Sequence, residues 1–134
     1  MGRPKNSFED QEFSRFSRVL SKVYSINRFL RNLWTYSQDR FAALEGTPHD
    51  EEAAADTEHM RERLGKWCEN GLARITDDVE QLQMHKAVRD VTRLFERIQD
   101  FEKRVLQRRG QMSRADAEAQ VAALVLLARA LLPF

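Results

Sequence analysis

Apolar residues recur along this chain at steps of three and four, the spacing of one face of an α-helix, in four stretches separated by breaks. The first predicted helix runs from Phe8 or Glu9 to Leu44 without a Gly or Pro. Phe16, Val19, Leu20, Val23, Ile26, Leu30, Leu33, Trp34, Phe41 and Leu44 fall on it within a sector of about 140°, the width of a core-facing stripe. Leu30, Leu33 and Trp34 are read as core, and truncating Trp34 to Ala is expected to cost about 3–5 kcal/mol if its ring is buried. Residues 45–57 break the pattern at Gly46 and Pro48 and read as an exposed loop. A second helix is predicted from Asp56 or Thr57 to Glu80, with Met60, Leu64, Trp67, Gly71, Ile75, Val79 and Leu82 along one seam. Gly71 costs ~1 kcal/mol of helix propensity there, which close approach of a neighbouring helix would offset.

A short turn is expected over Gln81 to Gln83, although neither Gly nor Pro marks it. The third predicted helix, Met84 to Arg108, carries Met84, Ala87, Val88, Val91, Leu94, Phe95, Ile98, Phe101 and Val105 on one face. Gly110 suits the left-handed position that follows a helix terminus. Ser113 with Asp116 three residues on resembles a capping box for a fourth helix ending near Leu132, before Pro133. Val121, Leu124, Val125, Leu127, Leu131 and Leu132 make that helix the most apolar of the four. The pattern predicts an all-α protein, an up-down four-helix bundle forming one domain over residues 8–134 after a flexible lead-in at 1–7.

With 134 residues, 42% of them hydrophobic and 32% charged, the composition suits a folded helical domain and needs no second one. Cys68 is the only cysteine, so neither an internal disulfide nor a cysteine metal cage is available, and a buried thiol in a cytoplasmic protein is expected. No apolar run approaches a membrane span, and Met1 to Asp10 is too polar for a secretory signal. The net charge of +1 hides segregation. Residues 1–44 carry 8 Lys+Arg against 4 Asp+Glu, residues 84–109 again 8 against 4, and residues 45–58 six acids and no base.

No catalytic arrangement is legible. His49, His59 and His85 are scattered outside any metal-ligand spacing, the glycines never cluster into a phosphate loop, and adjacent Asp77 and Asp78 cannot face one site together. Catalytic residues, metal ligands and cofactors are accordingly not expected. What remains is binding through cations. Lys86, Arg89, Arg93 and Arg97 stand at spacings of three and four, either as a solvated face pairing with Asp90, Glu96 and Asp100 or as a phosphate-binding ladder. Arg15, Arg18 and Lys22 flank one edge of the first apolar stripe, and Arg28 and Arg31 lie beyond the other.

Arg28-Phe29-Leu30-Arg31-Asn32-Leu33-Trp34 resembles the first-helix motif of the anticodon-binding helical domain of leucyl-tRNA synthetases. Ile75-Thr76-Asp77-Asp78-Val79-Glu80 followed by Gln83-Met84-His85-Lys86-Ala87-Val88 looks like that domain's passage from second to third helix. Leu131-Leu132-Pro133-Phe134 is similar to the end of its fourth helix, so the likeness runs over residues 16–134. Ser25, where the family often has Gly, and His85-Lys86, in place of Asn-Thr, widen the match to the related class I enzymes for isoleucine, valine and methionine. The family's two catalytic signature strings are missing. The resemblance implies a tRNA-binding bundle without a catalytic centre, partnered by tRNA and, if it is an excised piece, by a synthetase catalytic domain. On this reading Arg28, Arg31, Arg89, Arg93 and Arg97 lead the tRNA-contacting candidates, with Lys86, Arg15, Arg18 and Lys22 beside them. The alternative is a helical interaction module whose cations are only solvated and whose apolar fourth helix pairs with another protein or with a second copy.

Overall fold

The structure, a computed structural model, describes residues 7–131, and within that range it describes no side chain for residues 7–9, 19, 22 and 23. The lead-in expected at 1–7 falls outside the described residues but for Ser7, which opens a helix, and so do Leu132, Pro133 and Phe134. The described chain is all-helical, with five helices: α1 (Ser7–Leu44), α2 (Glu51–Asp56), α3 (Glu58–Glu80), α4 (Met84–Arg109) and α5 (Arg114–Ala130). No helix among the described residues is long and apolar enough to cross a membrane.

The chain forms two compact units, residues 1–35 and residues 36–134. In the first, the members of the predicted α1 stripe whose side chains are described are exposed, save Leu33. Leu33 is 7% exposed, but Phe16, Leu20, Ile26, Leu30 and Trp34 are exposed, Trp34 by 68%. A long amphipathic pattern can make a helix without an apolar partner to cover it, so the large cost expected for truncating Trp34 does not apply at a ring that is already wet.

The core belongs to the second unit, where α3, α4 and α5 each pack on the other two. Leu64, Cys68 and Ile75 of α3 meet the apolar stripe of α4, residues 87–105, and Val121, Leu124 and Leu127 of α5 within it. Gly71 faces α4 closely: a β-carbon there would stand 3.4 Å from both Leu94 methyls, the close approach its place in the seam suggested. Cys68 is buried, and burial pushes its thiol pKa up. Met84 and Leu82, read as seam residues, are exposed instead, because both lie where the chain turns between α3 and α4.

The stretch 45–57 is not all loop. Asp50 caps α2 by accepting from the Ala53 N–H at 3.1 Å, Glu51 and Glu52 occupy the first turn where the helix dipole favours acids, and three alanines follow. The expected capping box of α5 is present: the Asp116 N–H donates to Ser113 Oγ, and the Ser113 N–H donates to the Asp116 carboxylate. That carboxylate is wholly buried and does more. It accepts from the Thr57 hydroxyl at 2.8 Å and from Arg61 Nη1 at 2.8 Å, while Arg61 Nη2 donates to the Ala54 carbonyl, so one acid ties α2, α3 and α5 together.

The C-terminal end of α1, residues 36–44, belongs to this second unit. The Tyr36 hydroxyl donates to Glu102 at 2.6 Å and accepts from Gln120 Nε2 at 2.6 Å, and the Arg40 guanidinium pairs with the same Glu102 at 2.7–2.9 Å. Burial, and then the bond to Glu102, push the Tyr36 pKa up. This polar knot on α4 and α5 fixes the end of α1 where its apolar stripe does not.

Candidate functional site

Two helical faces of the second unit bring cations together. On α4, Arg93 and Arg97 stand one turn apart, and on α3, Arg74 and Trp67 are two turns apart on the side that faces α4. These four line a cleft of about 240 Å3 with Asn70, Gly71, Leu94 and Asp90. The same close approach at Gly71 and Leu94 that seats α4 on α3 forms its floor.

Trp67 forms one wall, and arginines crowd its ring. The Arg97 guanidinium carbon lies 4.7 Å from the ring centroid, that of Arg63 5.7 Å and that of Arg104 5.8 Å. Arg63 and Arg104, with His59, Met60 and Phe101, line a smaller cleft of about 70 Å3 that Trp67 also borders.

One acid sits among these cations. Asp90 is 5% exposed, and on α3 the buried Asp78 is its neighbour. No N–H or O–H of the described residues reaches Asp78 Oδ2, and the neighbouring Asp90 carboxylate favours a proton on one member of the pair. The bond to Asp90 raises the Asp78 pKa above the usual carboxylate range, with burial adding to it. The same bond, then Arg89 and Arg93, hold Asp90 below that range, and Arg89 Nε lies 3.5 Å from it. At neutral pH the cleft therefore holds a carboxylate beneath its guanidinium groups.

The sequence candidates fall into separate sets. Arg93 and Arg97 line the cleft; Arg89 is exposed with its Nε 3.5 Å from Asp90, and Lys86 is half-buried at the start of α4. Arg28 and Arg31 are exposed on α1 in the first unit, with Arg15 beside Glu12 at 3.5 Å and Arg18 Nε donating to the Ser14 carbonyl at 3.4 Å. The side chain of Lys22 lies outside those described. Trp67, Arg63 and Arg74 are hidden in the sequence because Trp67 fits the apolar seam and the α3 arginines form no ladder, and Arg104 stands two turns beyond Arg97 on α4. Asp78 and Asp90 left a signal: each is an acid set into the apolar stripe of its helix.

No family model, curated protein or solved structure matches the chain. Among the described residues no group of three or more His, Cys, Asp and Glu is placed to hold a metal ion.

Proposed function

We propose that the chain is a tRNA-binding helical domain related to those of leucyl-tRNA synthetases, that the α3–α4 cleft grips the RNA backbone, and that it works in the cytoplasm beside a synthetase catalytic domain. The observation that carries this is the gathering of Arg74, Arg93 and Arg97 around one cleft. Guanidinium groups suit phosphate oxygens through paired N–H donors, and groups held on packed helices need little ordering when they bind. The motif resemblance at residues 28–34 and 75–88 supports tRNA as the particular RNA. The same reading carries the up-down four-helix bundle: the short turns at 81–83 and 110–113 support its last three members, and the end of α1 over residues 36–44 serves as the fourth.

Charge reversal tests it. Arg74→Glu, Arg93→Glu and Arg97→Glu together are expected to weaken tRNA binding and to flatten the log-log salt dependence by roughly 0.7–0.9 for each phosphate no longer neutralised. Binding isotherms across a salt series read both quantities. Unchanged affinity and slope would mean that the RNA surface lies elsewhere.

The exposed apolar residues of α1, Phe13, Phe16, Tyr24 and Trp34 among them, favour a second reading, an interaction module that pairs with another protein or with itself. Light scattering separates the two: a concentration-dependent dimer indifferent to tRNA favours the module.

A further inference from the structure

The cleft is built for more than a phosphate. Gripping a duplex backbone calls only for cations, yet one wall here is a half-buried indole and the lining includes an amide, Asn70, and a carboxylate, Asp90. A carboxylate repels a ligand that is phosphate alone. It is useful to a ligand that brings its own N–H donors, as the edges of nucleobases do. Trp67 and Arg97 supply the other half of such recognition: the guanidinium 4.7 Å above the indole makes a cation–aromatic platform of the kind on which unpaired bases stack.

Resting on the RNA-binding reading above, we propose that the cleft accepts one unpaired nucleotide of an RNA strand, its phosphate on Arg74 and Arg93 and its base stacked on the Trp67–Arg97 platform. A base held within a duplex cannot enter, because both of its faces are already stacked. The site therefore favours loops, bulges and single strands over continuous helix. Asp90 and Asn70 both line the cleft.

Fluorescence provides the test, since the chain has two tryptophans, Trp34 and Trp67, and Trp34→Phe at an exposed position leaves Trp67 as the sole indole. The Trp34→Phe protein is titrated at fixed salt with a single-stranded RNA hexamer, with the blunt duplex of the same sequence, with adenosine monophosphate and with ribose 5-phosphate. The hexamer is expected to quench Trp67 and to bind at least about 5-fold tighter than the duplex; one base on an aromatic ring accounts for roughly 5- to 160-fold. Ribose 5-phosphate is expected to leave the emission unchanged. Trp67→Leu, followed with labelled RNA, is expected to remove the single-strand preference, and the titrations of the Trp34→Phe protein stand even if that variant fails to fold. Equal binding of hexamer and duplex without quenching would overturn the stacking site, and if charge reversal still weakens both, the backbone reading survives. Adenosine monophosphate binding as tightly as the hexamer would assign the cleft to a free nucleotide and overturn the strand.

Discussion

Leu82 is the most conspicuous single residue in the turn between α3 and α4. Its φ is +57°, in the left-handed region that a branched side chain enters at a cost of roughly 1–2 kcal/mol, and 81% of its surface is exposed, so little burial compensates. The backbone makes the turn worthwhile: the Gln83 N–H donates to the Asp78 carbonyl at 2.8 Å and the Leu82 N–H to the Val79 carbonyl at 3.0 Å, satisfying carbonyls at the end of α3. Leu82→Gly is expected to raise stability by about 0.5–1 kcal/mol, the steric relief less the extra freedom glycine has when unfolded. Urea unfolding measures it, and a less stable variant would refute the strain. This position also explains why the turn is hard to place from sequence: the residue that adopts glycine's conformation is a leucine, which continues the apolar rhythm of the second helix. Gly110, with φ +78° after α4, carries the ordinary signal and is legible.

Between elements, the acids decide how α3 and α4 respond to pH. Asp78 has a folded pKa above its unfolded value, so the folded protein holds a proton the unfolded chain has released, and its contribution to stability falls as pH rises through that raised value. Asp90 runs the other way. Its folded value is depressed, so its contribution is present above the unfolded carboxylate range and is lost as pH falls through the folded value. Asp78→Asn keeps a donor for Asp90 and removes the group that must ionise. The variant is therefore expected to gain on the wild type as pH climbs above the ordinary carboxylate range, with no advantage in acid where Asp78 keeps its proton. Denaturant midpoints across that rise in pH test it, and an advantage confined to acid would reverse the assignment. At this scale the sequence is informative about helix starts and nearly silent about tertiary polar bonds. Ser113 with Asp116 declares a capping box, whereas the short helix α2 is hidden behind the Gly and Pro that precede it. That the Asp116 carboxylate also receives Thr57 and Arg61, or that Tyr36 reaches Glu102, depends on residues more than fifty positions apart and has no periodic trace.

For the whole molecule, burial is concentrated in residues 53–127, with Leu33 the exception among the core residues described. A chain beginning at residue 33 retains Tyr36 and Arg40 and all of α2 to α5. It is expected to unfold in one cooperative transition like the full protein, read by circular dichroism in urea. Loss of helical signal without a transition would instead show that the first unit holds the second together. Fold class and the long helices are legible because amphipathic periodicity registers wherever a helix forms. Which stripe finds a partner is not, since α1 and α4 show the same period although only α4 buries its face. The cleft is half legible: Arg93 and Arg97 announce themselves as a ladder, while the α3 wall looks like ordinary core and solvent-facing arginine.

Cys68 gives the molecule a clock. The only sulfhydryl in the chain lies under α5 beside Leu64 and Ala123, 5% exposed, and it ionises less readily than a free thiol. With 5% of the residue exposed in a groove between α3 and α5, the thiol reacts slowly as the protein stands and faster when the two helices part, so its rate of reaction rises with the fraction of time the protein spends open. Slow, reagent-proportional modification would thus record breathing at the centre of the helical core in the unaltered protein, and its change on adding RNA would tell whether a ligand on the far side of α3 quiets that motion.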